Sequence, residues 1–255
     1  MPKIIENRRI EAFKDRSSFN RDELYDFYLD FEPDLKENTF GWRIYDLKKK
    51  DIIKTIGRGL YVISYKPKYK AVLSDNIYKI ARKTNERFED IKYAIWETQW
   101  LNEFTQHQTS NQIIIVEVEK EFIDSLYYYL NDNLRMDFFL NPDEKEIQFY
   151  ISESNVPVVI KRLVTRAPIQ KIKNKKDVVA IATLEKIMVD LFADENLFHF
   201  YQGPEMVHIY ENIIDRYSIN FTRMFSYAKR RKKEQEIKQF ISNHIPDFLE
   251  DIPYD

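Results

Sequence analysis

Cysteine is absent from the 255-residue sequence. Disulfides, thiolate catalysis and cysteine-ligated zinc are therefore excluded, and an intracellular chain is the natural reading. Glycine is scarce. Four residues (Gly41, Gly57, Gly59 and Gly203) leave little material for a phosphate cradle, and neither a P-loop nor a Gly-x-Gly-x-x-Gly fingerprint occurs. No apolar run reaches the roughly 18 residues of a membrane span. The opening MPKIIENRRIEAFKDR lacks the apolar centre of a signal peptide. The expectation is a cytoplasmic protein with no membrane partner. An excess of one charge sign is also missing, the net charge being −2, so the whole molecule is not a polycation that coats nucleic acid indiscriminately.

What is present is core-forming material and local charge. Hydrophobic residues make up 44% of the chain, with 17 Tyr and 18 Phe, enough to bury a substantial core. Between Arg43 and Lys70 nine basic residues face two acidic ones, and between Arg223 and Lys238 seven face two. Basic patches on a neutral protein suit specific contact with an anionic partner.

Periodicity divides the chain into two parts. A helix is predicted over 3–15. Asn20 with Glu23 forms a capping-box pattern that opens a second helix, which Pro33 ends. A third runs from about Asn38 to Lys50, with Phe40, Ile44 and Leu47 as its apolar face. Two β-rich runs flank Gly57-Arg58-Gly59 and read as a hairpin. Residues 65–70 read as a linker. Beyond it come a helix over 75–88, a buried strand at 113–118, a helix over 120–130, strands at 136–140, 146–151 and 156–164, and helices from Thr183 to Ile241. The predicted class is α+β: an N-terminal winged helix-turn-helix over 1–66, then a mixed-sheet domain over 70–255 with C-terminal helices.

The order helix, helix, hairpin carries the functional expectation, because a helix fits the major groove and reads bases from the side opposite its core face. With Phe40, Ile44 and Leu47 inward, Thr39, Trp42, Arg43, Asp46 and Lys50 point away. Arg43 is expected to donate to a guanine edge, Lys48, Lys49 and Lys50 to reach phosphates, and Lys54 and Arg58 to serve the wing. The basic run Lys229, Arg230, Arg231, Lys232, Lys233 is either a solvated helix face or a second phosphate contact.

The stretch WRIYDLKKKDIIKTIGRGLYVIS resembles the N-terminal winged helix of AbiEi-type antitoxins, the transcriptional regulators of type IV toxin–antitoxin phage-defence modules. Further segments, among them IATLEKIMVDLF and FHFYQGPEMVHIYENIIDRYSIN, resemble uncharacterised bacterial proteins of the Bacteroidota built on the same plan. The resemblance implies operator binding and autoregulation beside a gene for a nucleotidyltransferase-like toxin. A homodimer on a two-fold operator would supply the contacts that one module lacks.

No catalytic residue, metal ligand or cofactor is expected. Glu117 and Glu119 alternate with valines, and with Lys120 they suggest a metal-dependent nuclease. The spacing between acid and Lys is wrong for one, so a strand end emerging into solvent is preferred. Thr183 reads as the N-cap of a helix whose Glu185 suits the first-turn dipole and whose Asp190 is structural. His107, His199, His208 and His244 lack metal-ligand spacing. Trp96, Trp100 and Phe104 follow a four-residue period and read as core. Two alternatives remain at this level: a nuclease- or nucleotidyltransferase-like enzyme guided by the winged helix, and a defence adaptor that binds a partner protein.

Overall fold

A computed structural model of the chain describes residues 12–13, 16, 18–49, 52–63, 66–107, 112–174 and 177–245. Apart from residues 12 and 13, the helix expected over 3–15 lies outside them, as does Lys50. The chain is α+β, and the described residues form two sheets and two hydrophobic cores.

The N-terminal part comprises β1 (Phe19–Asn20), α1 (Arg21–Leu29), α2 (Glu37–Lys49), β2 (Ile53–Gly57) and β3 (Leu60–Ile63). The capping box at Asn20 is formed: its side chain accepts from the N–H groups of Asp22 and Glu23, and Glu23 accepts from the Asn20 N–H. Such a cap contributes about 1 kcal/mol. β3 is the central strand, paired antiparallel with β1 and β2. Leu24, Phe40, Ile44, Leu47 and Ile53 fill the core beneath, and Phe13 packs on Phe19 and Phe27.

The larger part holds α3 (Asp75–Arg87), β4 (Tyr93–Glu97), β5 (Ile114–Val118), α4 (Ile123–Asn133), β6 (Asp137–Leu140), β7 (Pro157–Arg162), β8 (Ile169–Asn174) and β9 (Asp177–Ala182). Four helices follow: α5 (Leu184–Ala193), α6 (Pro204–Arg216), α7 (Phe221–Arg230) and α8 (Glu234–His244). The sheet order is β6-β7-β5-β4-β9-β8, with β6, β7 and β5 parallel and β4 antiparallel to β5. Every residue of β4 and β5 is buried, as expected of strands covered on both faces. α3 packs over β9, α4 over β6 and β7, and α5 stacks on α7.

Two expectations are corrected. Residues 146–151 form a π-helical turn, not a strand. Ile147, Phe149 and Ile151 alternate in the sequence, but only Ile147 and Ile151 are buried while Phe149 is 61% exposed. Asp143 caps the turn by accepting from the Glu146 N–H at 2.8 Å. The segment predicted as a linker is instead packed: Tyr69 lies against Trp100, Phe104 and Tyr217, and Lys66 donates to the Ile214 carbonyl at 2.9 Å.

Candidate functional site

α2 presents two different faces. Inward are Phe40, Ile44 and Leu47, as the spacing predicts. Outward are Thr39, Gly41, Trp42, Tyr45, Lys48 and Lys49, all exposed. Trp42 is 73% and Tyr45 59% exposed, and their rings meet edge to face at 6.0 Å. Gly41 sits mid-helix, and a Cβ there would meet nothing within 4 Å. The fold therefore has no packing use for a glycine that costs the helix about 1 kcal/mol relative to Ala. A bare stretch of backbone thus lies beside two exposed aromatic rings.

Arg43 does not join that surface in the free protein. It donates two hydrogen bonds to Glu32, at 2.7 and 3.1 Å, and lies over the Tyr28 ring. Those bonds hold the Glu32 carboxyl below its ordinary range. The pair clamps α2 to the turn after α1. A guanine could engage Arg43 only after Glu32 released it.

The hairpin also differs from a free wing. Arg58 is exposed at the tip, next to Gly59 in the left-handed conformation that the turn requires. At its base, however, Ile56 packs on the larger core, and Gly57 lies against Thr222 of α7. Lys54 is corrected as a wing contact: it is buried and donates to the Lys66 carbonyl. Lys48 lies over the Tyr61 ring, and burial lowers its pKa. Of the expected contacts, Thr39, Trp42, Lys48, Lys49 and Arg58 are thus exposed on the described surface.

A second constellation went unforeseen in the sequence. Glu117, on β5, is wholly buried rather than emerging at a strand end. It pairs with Lys186 of α5, which also pairs with Asp190 one helical turn on. Tyr227 of α7 donates to Asp190 at 2.8 Å, and its ring lies beneath the Lys186 ammonium. Arg231 bonds Asp194 at 2.7 Å and approaches Asp190, while Lys161 of β7 also pairs with Asp194. Three cations (Lys161, Lys186, Arg231) thus balance three carboxylates (Glu117, Asp190, Asp194). Burial pushes the Glu117 carboxyl up against the pull of Lys186. For Lys186, burial opposes the charge, but Asp190 and Glu117 outweigh it and raise its pKa. Burial likewise opposes ionisation of Asp194, yet Lys161 and Arg231 hold it below the ordinary range.

With Lys186 and Glu117 fully buried, the centre of this network has no surface for a substrate to touch; it ties β5, β7, α5 and the end of α7 together. The only sequence signal for it was a charged residue on an otherwise apolar strand and a Lys-x-x-x-Asp pair on an apolar helix. Glu119 stands apart, capping the Lys92 N–H at 3.1 Å.

The basic run at 229–233 is divided by its packing. Arg231 belongs to the buried network, and Lys233 pairs with Glu236 and Glu195. Lys229, Arg230 and Lys232 are exposed, and Arg230 reaches the Thr165 hydroxyl at 3.3 Å. As a continuous phosphate-binding strip the segment is therefore corrected to Lys229, Arg230 and Lys232. His107 and His208 lie beside Glu205 and Glu211, and His199 and His244 pack on Phe200 and Phe240. Among the described residues, no three His, Asp or Glu residues converge as a metal site, and no helix is long and apolar enough to cross a membrane.

Residues 39–247 match the model of a family of unknown function, DUF6577, and the chain belongs to that family. Comparison with curated proteins and with solved structures found no match.

Proposed function

We propose that the protein binds duplex DNA through the outward face of α2 and the tip of the β2–β3 hairpin, as an antitoxin-like transcriptional regulator of a phage-defence operon. The observation that carries this reading is the α2 face itself. Two exposed aromatic rings and an unpacked glycine lie on a helix whose last turn is basic. The element order, two helices followed by a hairpin, suits a winged helix-turn-helix. Base contact falls to Thr39, Trp42 and Tyr45, whose methyl and ring edges suit thymine methyl groups, rather than to Arg43. Lys48, Lys49 and Arg58 supply phosphate contacts. The regulatory context, with a nucleotidyltransferase-like toxin as the neighbouring gene product and two copies on a symmetric operator, rests on the resemblance to AbiEi-type antitoxins.

Selection from a random duplex pool tests the reading. The intact protein should enrich a motif with two-fold symmetry, and Trp42→Ala/Tyr45→Ala should lose the enrichment while remaining folded by circular dichroism. A wild-type protein that enriches nothing over the input would turn the aromatic face into a protein-binding surface and overturn the duplex reading.

A further inference from the structure

The charged network around Glu117 and Lys186 has an outer end that opens on solvent. There Asp194 accepts from Lys161 and Arg231, whose side chains are 14% and 12% exposed. Asn141 follows β6 directly and Lys161 is next to last in β7, so this trio lies outside the carboxyl ends of two parallel strands. That is where sheets of parallel strands hold ligands. Two clefts meet there, with Asn141, Lys161 and Asp194 as shared walls. They are of opposite sign. One, of about 500 Å³, is lined by four cations (Lys161, Arg162, Arg230, Arg231) and one carboxylate, Asp194. The other, of about 690 Å³, is lined by four carboxylates (Asp143, Glu144, Asp194, Glu195) and one cation, Lys161. Donors are left over on the basic side. Asp194 is the one described group that the Lys161 ammonium bonds, and it takes up only part of the Arg231 fork. Arg162 is exposed. The negative end of α7 accounts for Lys229 and Arg230 in its last turn, but not for Lys161 and Arg162 at the end of a strand. The backbone is strained along the same rim. Four described residues other than glycine have positive φ, and three of them border the clefts or adjoin a wall residue: Asn141, Arg166 and Lys232. Lys232 closes α7 in the position that glycine usually takes, with its N–H on the Lys229 carbonyl and that of Lys233 on the Ala228 carbonyl. Such strain gathers at functional sites.

We propose that the two joined clefts bind a nucleoside triphosphate. Its phosphates lie in the basic cleft, across Arg162, Arg230 and the spare donors of Lys161 and Arg231, as charge-assisted bonds favour. Its ribose hydroxyls and base amino group are donors, and they lie in the acidic cleft. Acceptors are left there: Asp143 takes the Glu146 N–H on one oxygen and Glu144 takes the Asn196 amide on one, so each keeps a second. Neither cleft selects this class alone. The cations would hold any polyanion, whereas the carboxylates repel one and admit a neutral group rich in donors. A ligand with a polyanionic end and a neutral, donor-bearing end satisfies both. The Lys161–Asp194 pair leaves the wall between them without net charge where the ligand crosses. This assignment goes beyond duplex binding and does not depend on it.

Isothermal titration calorimetry of the intact protein, free of DNA and with EDTA present, decides the matter at about 150 mM salt, where exposed charges are screened beyond about 8 Å. ATP and GTP are the probes, tripolyphosphate and adenosine the controls. At least one nucleotide should bind saturably and at least tenfold more tightly than either control. Arg162→Ala/Arg230→Ala should lose that binding at least tenfold with an unchanged melting temperature, since both residues are exposed. If losing the Arg230–Thr165 bond unsettles the fold, Arg162→Ala alone should still weaken binding at least threefold. Glu144→Gln/Glu195→Gln should weaken the nucleotide at least threefold while tripolyphosphate binds no less tightly. No saturable nucleotide binding, an Arg162→Ala variant that binds as the wild type does, or tripolyphosphate as tight as the nucleotides overturns the proposal. Trp42→Ala/Tyr45→Ala should bind the nucleotide as the wild type does, which separates this outcome from the duplex reading. Loss of nucleotide binding in that variant would place the ligand at α2 and overturn the assignment.

Discussion

Lys186→Met removes the cation at the centre of the buried network while keeping a similar side-chain volume. Two carboxylates, Glu117 and Asp190, then lose their shared partner in the interior. Breaking a buried pair by deleting one member costs about 3–5 kcal/mol, because the remaining charge is neither solvated nor paired. Against a total stability of about 5–15 kcal/mol, this is a third or more of the margin in most cases. Asp190 keeps the Tyr227 hydroxyl and the nearby Arg231, so most of the loss should fall on Glu117. Burial already holds the Glu117 carboxyl above its ordinary value, and deleting Lys186 removes the principal pull in the other direction. A carboxylate whose folded pKa is raised binds protons in the folded state first. The penalty should therefore be greatest near pH 7 and shrink as pH falls towards about 5, before the unfolded carboxylates titrate near pH 4. Urea unfolding at pH 7 and pH 5 reads both effects. Adding Glu117→Gln to the variant should recover at least about 1 kcal/mol, within the range of contacting pairs. A loss under about 1 kcal/mol, a penalty independent of pH, or a double variant no better than the single one would refute the reasoning.

The remaining predictions concern α2 and the edge of the same network. Gly41→Ala should stabilise the protein by up to about 1 kcal/mol in urea melts, since the added methyl meets nothing, while weakening duplex affinity measured by fluorescence anisotropy. If affinity is unchanged, the glycine is not a contact. Asp194 has a depressed folded pKa, so its stabilising contribution is present above its unfolded value near pH 4 and is lost as pH falls through the folded value. Asp194→Asn should therefore lower the melting temperature at pH 7, with the gap to wild type closing below about pH 4; a gap constant across that range would contradict the assignment.

The N-terminal part was legible in the sequence because its signals are local. Asn20 with Glu23 announces a cap, Phe40, Ile44 and Leu47 mark a helical face, and Gly57-Arg58-Gly59 marks a turn. The α+β class followed from the same kind of reading. The strands β4, β8 and β9 were missed. β4 is buried on both faces and runs straight into Trp100, so its Trp96 reads as the first member of a helical period. β8 carries lysines at the edge of the sheet, where charge suits a strand paired on one side only but hides its β pattern. The Glu117–Lys186 pair joins residues 69 positions apart in sequence; no local pattern encodes such a contact. Arg43 was misplaced for a related reason. Helical spacing gives the side on which a residue starts, but the long Arg side chain turns back to Glu32 across the α1–α2 turn.

Photo-cross-linking of the intact protein to its selected duplex, followed by peptide mass spectrometry, tests the central claim most directly. Cross-links should concentrate on the peptide spanning residues 39–49, at Trp42 and Tyr45, with a second set at the hairpin tip around Arg58. Cross-links confined to the larger domain, with the α2 peptide unmodified, would contradict the account.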